Sequence, residues 1–140
     1  MVGLVIATHG NVSEELIREA EMFSGPLDQC RAWTLNPGDD IERGEKLMEQ
    51  YIDELDSGDG VLVMADLFGG TPSNLSLKIA VRKNVETLTG VNLQMMIQFI
   101  TERGDKTLDE LIESCRDAGK VGIVSPTKIM KERRKTNGGN

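Results

Sequence analysis

Histidine occurs once in these 140 residues, at position 9, and cysteine twice, at positions 30 and 115. No spacing among them resembles a zinc ligand set, so neither a metal nor any other cofactor is expected. The two cysteines are far apart, and Cys115 falls on the apolar stripe of a predicted helix, which suits a reduced core thiol. No apolar run approaches the roughly 20 residues that span a bilayer. The opening residues MVGLVIATHG have neither the basic region nor the small-residue cleavage site of a secretion signal, and a cytoplasmic protein is expected. A Gly-x-x-x-x-Gly-Lys-Ser/Thr loop is also missing, which disfavours a nucleotide-dependent kinase.

Positive charge is scarce: the net charge is −7, and no grip on nucleic acid is expected. The charge is uneven. Lys128, Lys131, Arg133, Arg134 and Lys135 stand against Glu132 alone, leaving 11 basic and 22 acidic residues up to Thr127. Residues 126–140 therefore read as a basic, flexible C-terminal tail after one domain over 1–125, whose length suffices for a single core.

Periodicity gives alternating strands and helices. Residues 2–7 form a short run apolar enough for a strand buried on both faces. After Thr8-His9-Gly10, Asn11 and Glu14 have capping-box spacing, and Leu16, Ile17, Ala20 and Phe23 recur at helical intervals before Gly25-Pro26. A second strand spans 31–35. Asp39 or Asp40 caps the next helix, with Ile41, Met48, Ile52 and Leu55 on its apolar face and Gly44 as a weak point. The third strand is 61–65. Thr71 is the expected cap of a helix with Pro72 at its first position. Residues 86–91 suggest a fourth strand. Asn92 and the pair Thr107 and Glu110 open two further helices, the second ending at Gly119. A last strand is expected at 121–124. Such alternation implies βαβ units and a mainly parallel sheet.

In an open parallel sheet, sites form beyond the carboxyl ends of the strands, where strand order reverses. The residues leaving the first strand are Thr8-His9-Gly10, and those leaving the third are Asp66-Leu67-Phe68-Gly69-Gly70-Thr71. His9 and Asp66 are thus expected neighbours. A carboxylate that accepts one imidazole N–H fixes the tautomer, orients the ring and leaves the other nitrogen nucleophilic. Gly69 and Gly70 allow close backbone approach, and the following helix N-terminus, with the Thr71 hydroxyl, offers donors to an anion. Together these features describe an anion cradle facing a nucleophilic histidine, suited to phosphoryl transfer.

At Ala7-Thr8-His9-Gly10, at Asp66-Leu67-Phe68-Gly69-Gly70-Thr71-Pro72-Ser73-Asn74 and at Thr89-Gly90-Val91-Asn92-Leu93, the sequence resembles the mannose-family IIA proteins of the bacterial phosphoenolpyruvate:sugar phosphotransferase system. The likeness covers residues 1–125. It implies an open three-layer α/β/α fold: a mostly parallel doubly wound sheet with one antiparallel edge strand. The resemblance further implies a homodimer in which that strand, supplied by 121–124, is exchanged. It also implies that Nε2 of His9 accepts a phosphoryl group from phospho-HPr and passes it to a IIB histidine. The membrane IIC/IID complex takes part only indirectly. Asp66 matches the residue that orients the histidine, and Thr71 stands near the phosphoryl group. Leu67 and Phe68 are placed to dock partners.

Three other readings compete. A regulatory or phosphodonor subunit of the same fold, of the dihydroxyacetone kinase type, would carry the same residues. A non-catalytic anion-binding module would not need His9. A histidine phosphatase or mutase would require an arginine where Thr8 stands, and a second histidine.

Overall fold

The computed structural model describes residues 1–138. Its element order is β1 (Gly3–His9), α1 (Val12–Ser24), β2 (Cys30–Leu35), α2 (Ile41–Leu55), β3 (Val61–Ala65), α3 (Thr71–Ala80), β4 (Val85–Leu88), α4 (Leu93–Glu102), α5 (Leu108–Val121) and α6 (Pro126–Asn137). The four strands lie in the order β2-β1-β3-β4, every pair parallel. Helices cover both faces, giving the expected three-layer α/β/α architecture.

β3 and residues 3–7 of β1 are apolar because both of their faces are covered. Side-chain alternation along β1 divides the core in two. Leu4 and Ile6 join Ala20, Met96, Phe99 and Leu111 on the face of α1, α4 and α5. Val5 and Ala7 join Trp33, Met48, Ile52 and Ile79 on the face of α2 and α3. Gly44 proves to be a fitting point: its carbonyl accepts the Trp33 indole N–H at 2.9 Å, and a Cβ there would sit 3.0 Å from the same ring.

Two polar devices hold the scaffold. At the amino ends of the strands, buried Arg103 donates to the carbonyls of Val2, Asp28 and Gln29 and stacks on Phe99. Between α2 and α3, Glu45 meets Lys78 at 3.1 Å and Glu49 meets Arg82 at 2.8 Å. The hydrogen bond from Lys78 holds Glu45 below the usual carboxylate range, and that from Arg82 does the same for Glu49.

The C-terminal region departs from expectation. α5 does not stop at Gly119. That glycine is buried inside the helix, where a Cβ would lie 2.6 Å from Met95 and where Asn92 donates to its carbonyl. The helix runs to Val121 and ends at Gly122. The antiparallel edge strand expected at 121–124 is therefore absent from the single chain, and the sheet among the described residues is wholly parallel. Pro126–Asn137, within the region expected as a basic tail, forms a helix capped by Ser125, with no buried residue. Residues 139–140 of the expected tail lie outside the described residues. Phe23, expected on the buried stripe of α1, is exposed, as is Ile41 on α2. β4 ends at Leu88, short of the expected Val91.

Burial pushes the Cys30 thiol up to about 12 and that of Cys115 up to about 11. An unfolded chain ionises these thiols near the ordinary value of 9.0. Above that pH the unfolded state binds fewer protons than the folded one, so stability falls as pH rises. The urea midpoint should decline as pH rises from about 9 toward about 11. Iodoacetamide should label both thiols slowly in native protein and rapidly in denaturant, as read by mass spectrometry.

Candidate functional site

The strand order reverses between β1 and β3, and their carboxyl ends lie side by side, with Ala7 paired to Ala65. One residue past Ala65 is Asp66, and two past Ala7 is His9. By alternation His9 shares the face of Val5 and Ala7, toward α3, whereas Thr8 shares the face of Leu4 and Ile6, toward α1.

Asp66 holds His9 twice through one oxygen. Its Oδ2 accepts the backbone N–H of His9 at 3.0 Å and lies 3.0 Å from Nδ1 of the ring. An ionised carboxylate can only accept, so the proton of a neutral ring resides on Nδ1 and Nε2 carries the free lone pair. The His9 side chain is 47% exposed and that of Asp66 26%. The second oxygen of Asp66, Oδ1, is buried without a hydrogen-bond partner among the described residues.

The glycine turn closes the other side of the ring. A Cβ on Gly70 would lie 2.8 Å from Cε1 and 3.5 Å from Nε2 of His9, so only a glycine there lets the imidazole rest against the start of α3. Gly69 has φ +82° and turns the chain in the left-handed region. The turn is tied by the Gly70 N–H to the Leu67 carbonyl at 3.2 Å, and by Asn74 Nδ2 to the Gly69 carbonyl. Gly70, not Thr71, is the N-cap. Thr71 is the first helical residue and Pro72 follows it. Asn74 donates its N–H to the Gly70 carbonyl, the first bond of the helix. The amides of Thr71 and Ser73 precede any intrahelical acceptor and point toward the site end of the helix.

The structure thus brings together His9, Asp66, Gly69, Gly70 and Thr71. Leu67 and Phe68 stand on the rim, Phe68 being 81% exposed. Phe68 also borders a groove of about 410 Å³, lined further by Leu77, Thr87, Thr89, Arg116 and Ile123. No group of three or more histidine, cysteine, aspartate or glutamate residues that could hold a metal occurs among the described residues.

One residue at the site escaped the sequence reading. The expected capping box of Asn11 and Glu14 is not formed, because the Asn11 side chain caps nothing. Fully buried Thr8 takes over: its Oγ1 accepts the Ser13 N–H at 2.8 Å and donates to the Gly10 carbonyl at 3.2 Å. Capping rules look for a donor's partner just before the helix, whereas Thr8 lies within the strand.

Residues 3–116 match the family model EIIA-man, described as PTS system fructose IIA component. The mannose-specific EIIAB component of the PTS of Escherichia coli strain K12 is 34% identical over 127 residues, which cover 87% of this chain. The chain spans only 38% of the length of that relative. A phosphotransferase enzyme IIA component of the same strain is 30% identical, with 89% of this chain and 86% of that protein covered. Among solved structures, EIIA from Streptococcus agalactiae superposes with a TM-score of 0.84 at 23% identity, over 91% of this chain and 99% of that one, a likeness of fold. The PTS IIA protein associated with the fucose utilization operon of Streptococcus pneumoniae gives 0.79 at 28% identity, covering 93% and 99%. By the family match and the identity to these relatives, the chain belongs to the mannose family of phosphotransferase-system IIA components.

Proposed function

We propose that His9 is a phosphoryl carrier which takes its group from the phosphohistidine of HPr and passes it to a IIB histidine. The observation that carries this reading is the Asp66 oxygen on Nδ1, which leaves Nε2 as the free nucleophile. In uptake, the Nε2 lone pair attacks phosphorus, the P–N bond to the donor histidine breaks, and that nitrogen keeps the electron pair. Asp66 stabilises the positive charge developing on the imidazole. Gly69 and Gly70 give the transferred group room, while the first amides of α3 and the Thr71 hydroxyl are available to its oxygens. Delivery to IIB is the same displacement in reverse. No sugar enters the site, and the membrane IIC/IID complex is reached only through IIB.

The rim suits two successive partners. Leu67 and Phe68 are exposed apolar residues of the turn whose Gly70 meets the ring, as the centre of a small transient interface requires. The acidic body favours basic docking faces and an on-rate that falls with salt.

A homodimer completes the reading. Among the described residues of the single chain, the outer edge of β4 is unpaired. Val121, Ile123 and Val124 are exposed, Ile123 at 78%, and Ile123 borders the groove beside β4. Pairing of 121–124 with the β4 edge of a second copy would cover both apolar surfaces.

Three experiments test this function. With phosphoenolpyruvate, enzyme I and HPr, the wild type should gain an acid-labile, alkali-stable phosphoryl group and His9→Ala none. Asp66→Asn should slow transfer in both directions by about two orders of magnitude. Undiminished labelling of His9→Ala, or labelling by ATP alone, would overturn the assignment. Phe68→Ala should slow uptake from phospho-HPr and delivery to IIB together, and added salt should lower both wild-type rates in stopped-flow measurements. Sedimentation equilibrium should give a dimer at micromolar concentration, and a monomer there would refute strand exchange.

A further inference from the structure

We infer that Thr8 is a positioning residue for His9, setting the backbone turn that aims the imidazole. This rests on the reading of His9 as phosphoryl acceptor, and deepens it. Thr8 is fully buried on the α1 side of β1, and neither of its side-chain hydrogen bonds goes to the ring. Its hydroxyl uses both of its capacities on the turn that follows. It accepts the Ser13 N–H from the first turn of α1 and donates to the Gly10 carbonyl. Gly10 itself has φ +64° and donates its N–H to Leu35 at 2.7 Å. The chain therefore leaves His9 through a left-handed residue clamped to β2 by its amide and to α1, through Thr8, by its carbonyl.

Asp66 alone does not determine where the ring points. A single oxygen receiving both the backbone N–H and Nδ1 fixes the ring relative to its own backbone and to β3. The swing of that assembly toward Gly70 is set by the backbone direction at residues 9–10. The tolerance there is small, since the ring already occupies the space of a missing Cβ. Among the described residues no other side chain bonds the Ser13 amide or the Gly10 carbonyl, and Asn11, in the usual cap position, makes no cap bond. Replacing the hydroxyl by a methyl group strands the Ser13 amide and frees the Gly10 carbonyl, so the turn and the helix start would relax together.

A merely structural threonine would affect stability without moving the imidazole, and the experiment separates the two. Thr8→Val and Thr8→Ser are compared with wild type by single-turnover phosphoryl uptake over a range of phospho-HPr concentrations, and by the nitrogen-15 signals of the unphosphorylated His9 ring. For Thr8→Val, uptake at saturating donor should fall by about tenfold or more, with the half-saturating donor concentration unchanged. The ring signals should move from a protonated Nδ1 and bare Nε2 toward a mixture of tautomers. Thr8→Ser, which keeps the hydroxyl, should restore both. Should Thr8→Val not fold, Gly10→Ala strains the same turn from the backbone side. Its added Cβ meets no atom within 4 Å, so only the positive φ is penalised, and the same losses are expected. Wild-type ring signals and saturating rate in a folded Thr8→Val or in Gly10→Ala would overturn the inference. If wild-type His9 takes up no phosphoryl group, the carrier reading fails, while the ring signals still decide the role of Thr8.

Discussion

The oxygen Oδ2 of Asp66 joins two parts of the chain that are 57 residues apart, and it does so with both the main chain and the ring of His9. That double attachment is possible only where two parallel strands end side by side. β1 and β3 are parallel neighbours, so the residues that leave them emerge at the same end of the sheet. Parallel pairing needs a helical crossover, and the crossover after β3 is α3, whose start closes over the ring. Hydrogen bond, helix start and glycine contact are consequences of one strand arrangement. Buried Arg103 secures the opposite end of that arrangement, tying the entry of β1 to the entry of β2 through their carbonyls.

The position of α3 matters as much as that of the strands, because Gly70 must come within touching distance of an imidazole without displacing it. Ile79 and Leu75 anchor the helix in the apolar layer shared with α2. The ion pairs of Glu45 and Glu49 with Lys78 and Arg82 link its far half to α2. The cations of these pairs are exposed and the carboxylates partly covered, and such pairs add modestly to stability. Their geometric effect is to oppose sliding of α3 along its neighbour.

Much of this was legible in the sequence because the signals were of the right kind. Continuous apolar runs at β1 and β3 announced buried parallel strands, and the residues after them gave His9, Asp66, Gly69 and Gly70 directly. The capping box of Thr107 and Glu110 was also readable and is formed. What was not legible depended on tertiary contact. Gly119 has the composition of a helix stop, yet Met95 packs where its side chain would be, and the helix continues. Asn11 has the spacing of a cap, yet a threonine in the strand already holds the Ser13 amide. The apolar residues at 121–124 have strand character, but strand formation depends on an edge to pair with, and one chain does not bring that edge to them. Sequence patterns record local preference: Gly119 was decided by Met95, 24 residues away, and Asn11 by Thr8, which lies before the positions that capping rules scan.

His9 ends a strand, bonded through its own amide and flanked by a turn fixed on two sides, and almost half of its side chain faces solvent. Among the described residues nothing closes over the exposed half of the ring. For the proposed carrier this makes the protein a relay contact and not a reservoir: the charged group is displayed from the moment it arrives, and its survival depends on how soon the next partner meets it. Fidelity then rests on which surfaces can approach the rim, and throughput on the abundance of those partners in the surrounding medium.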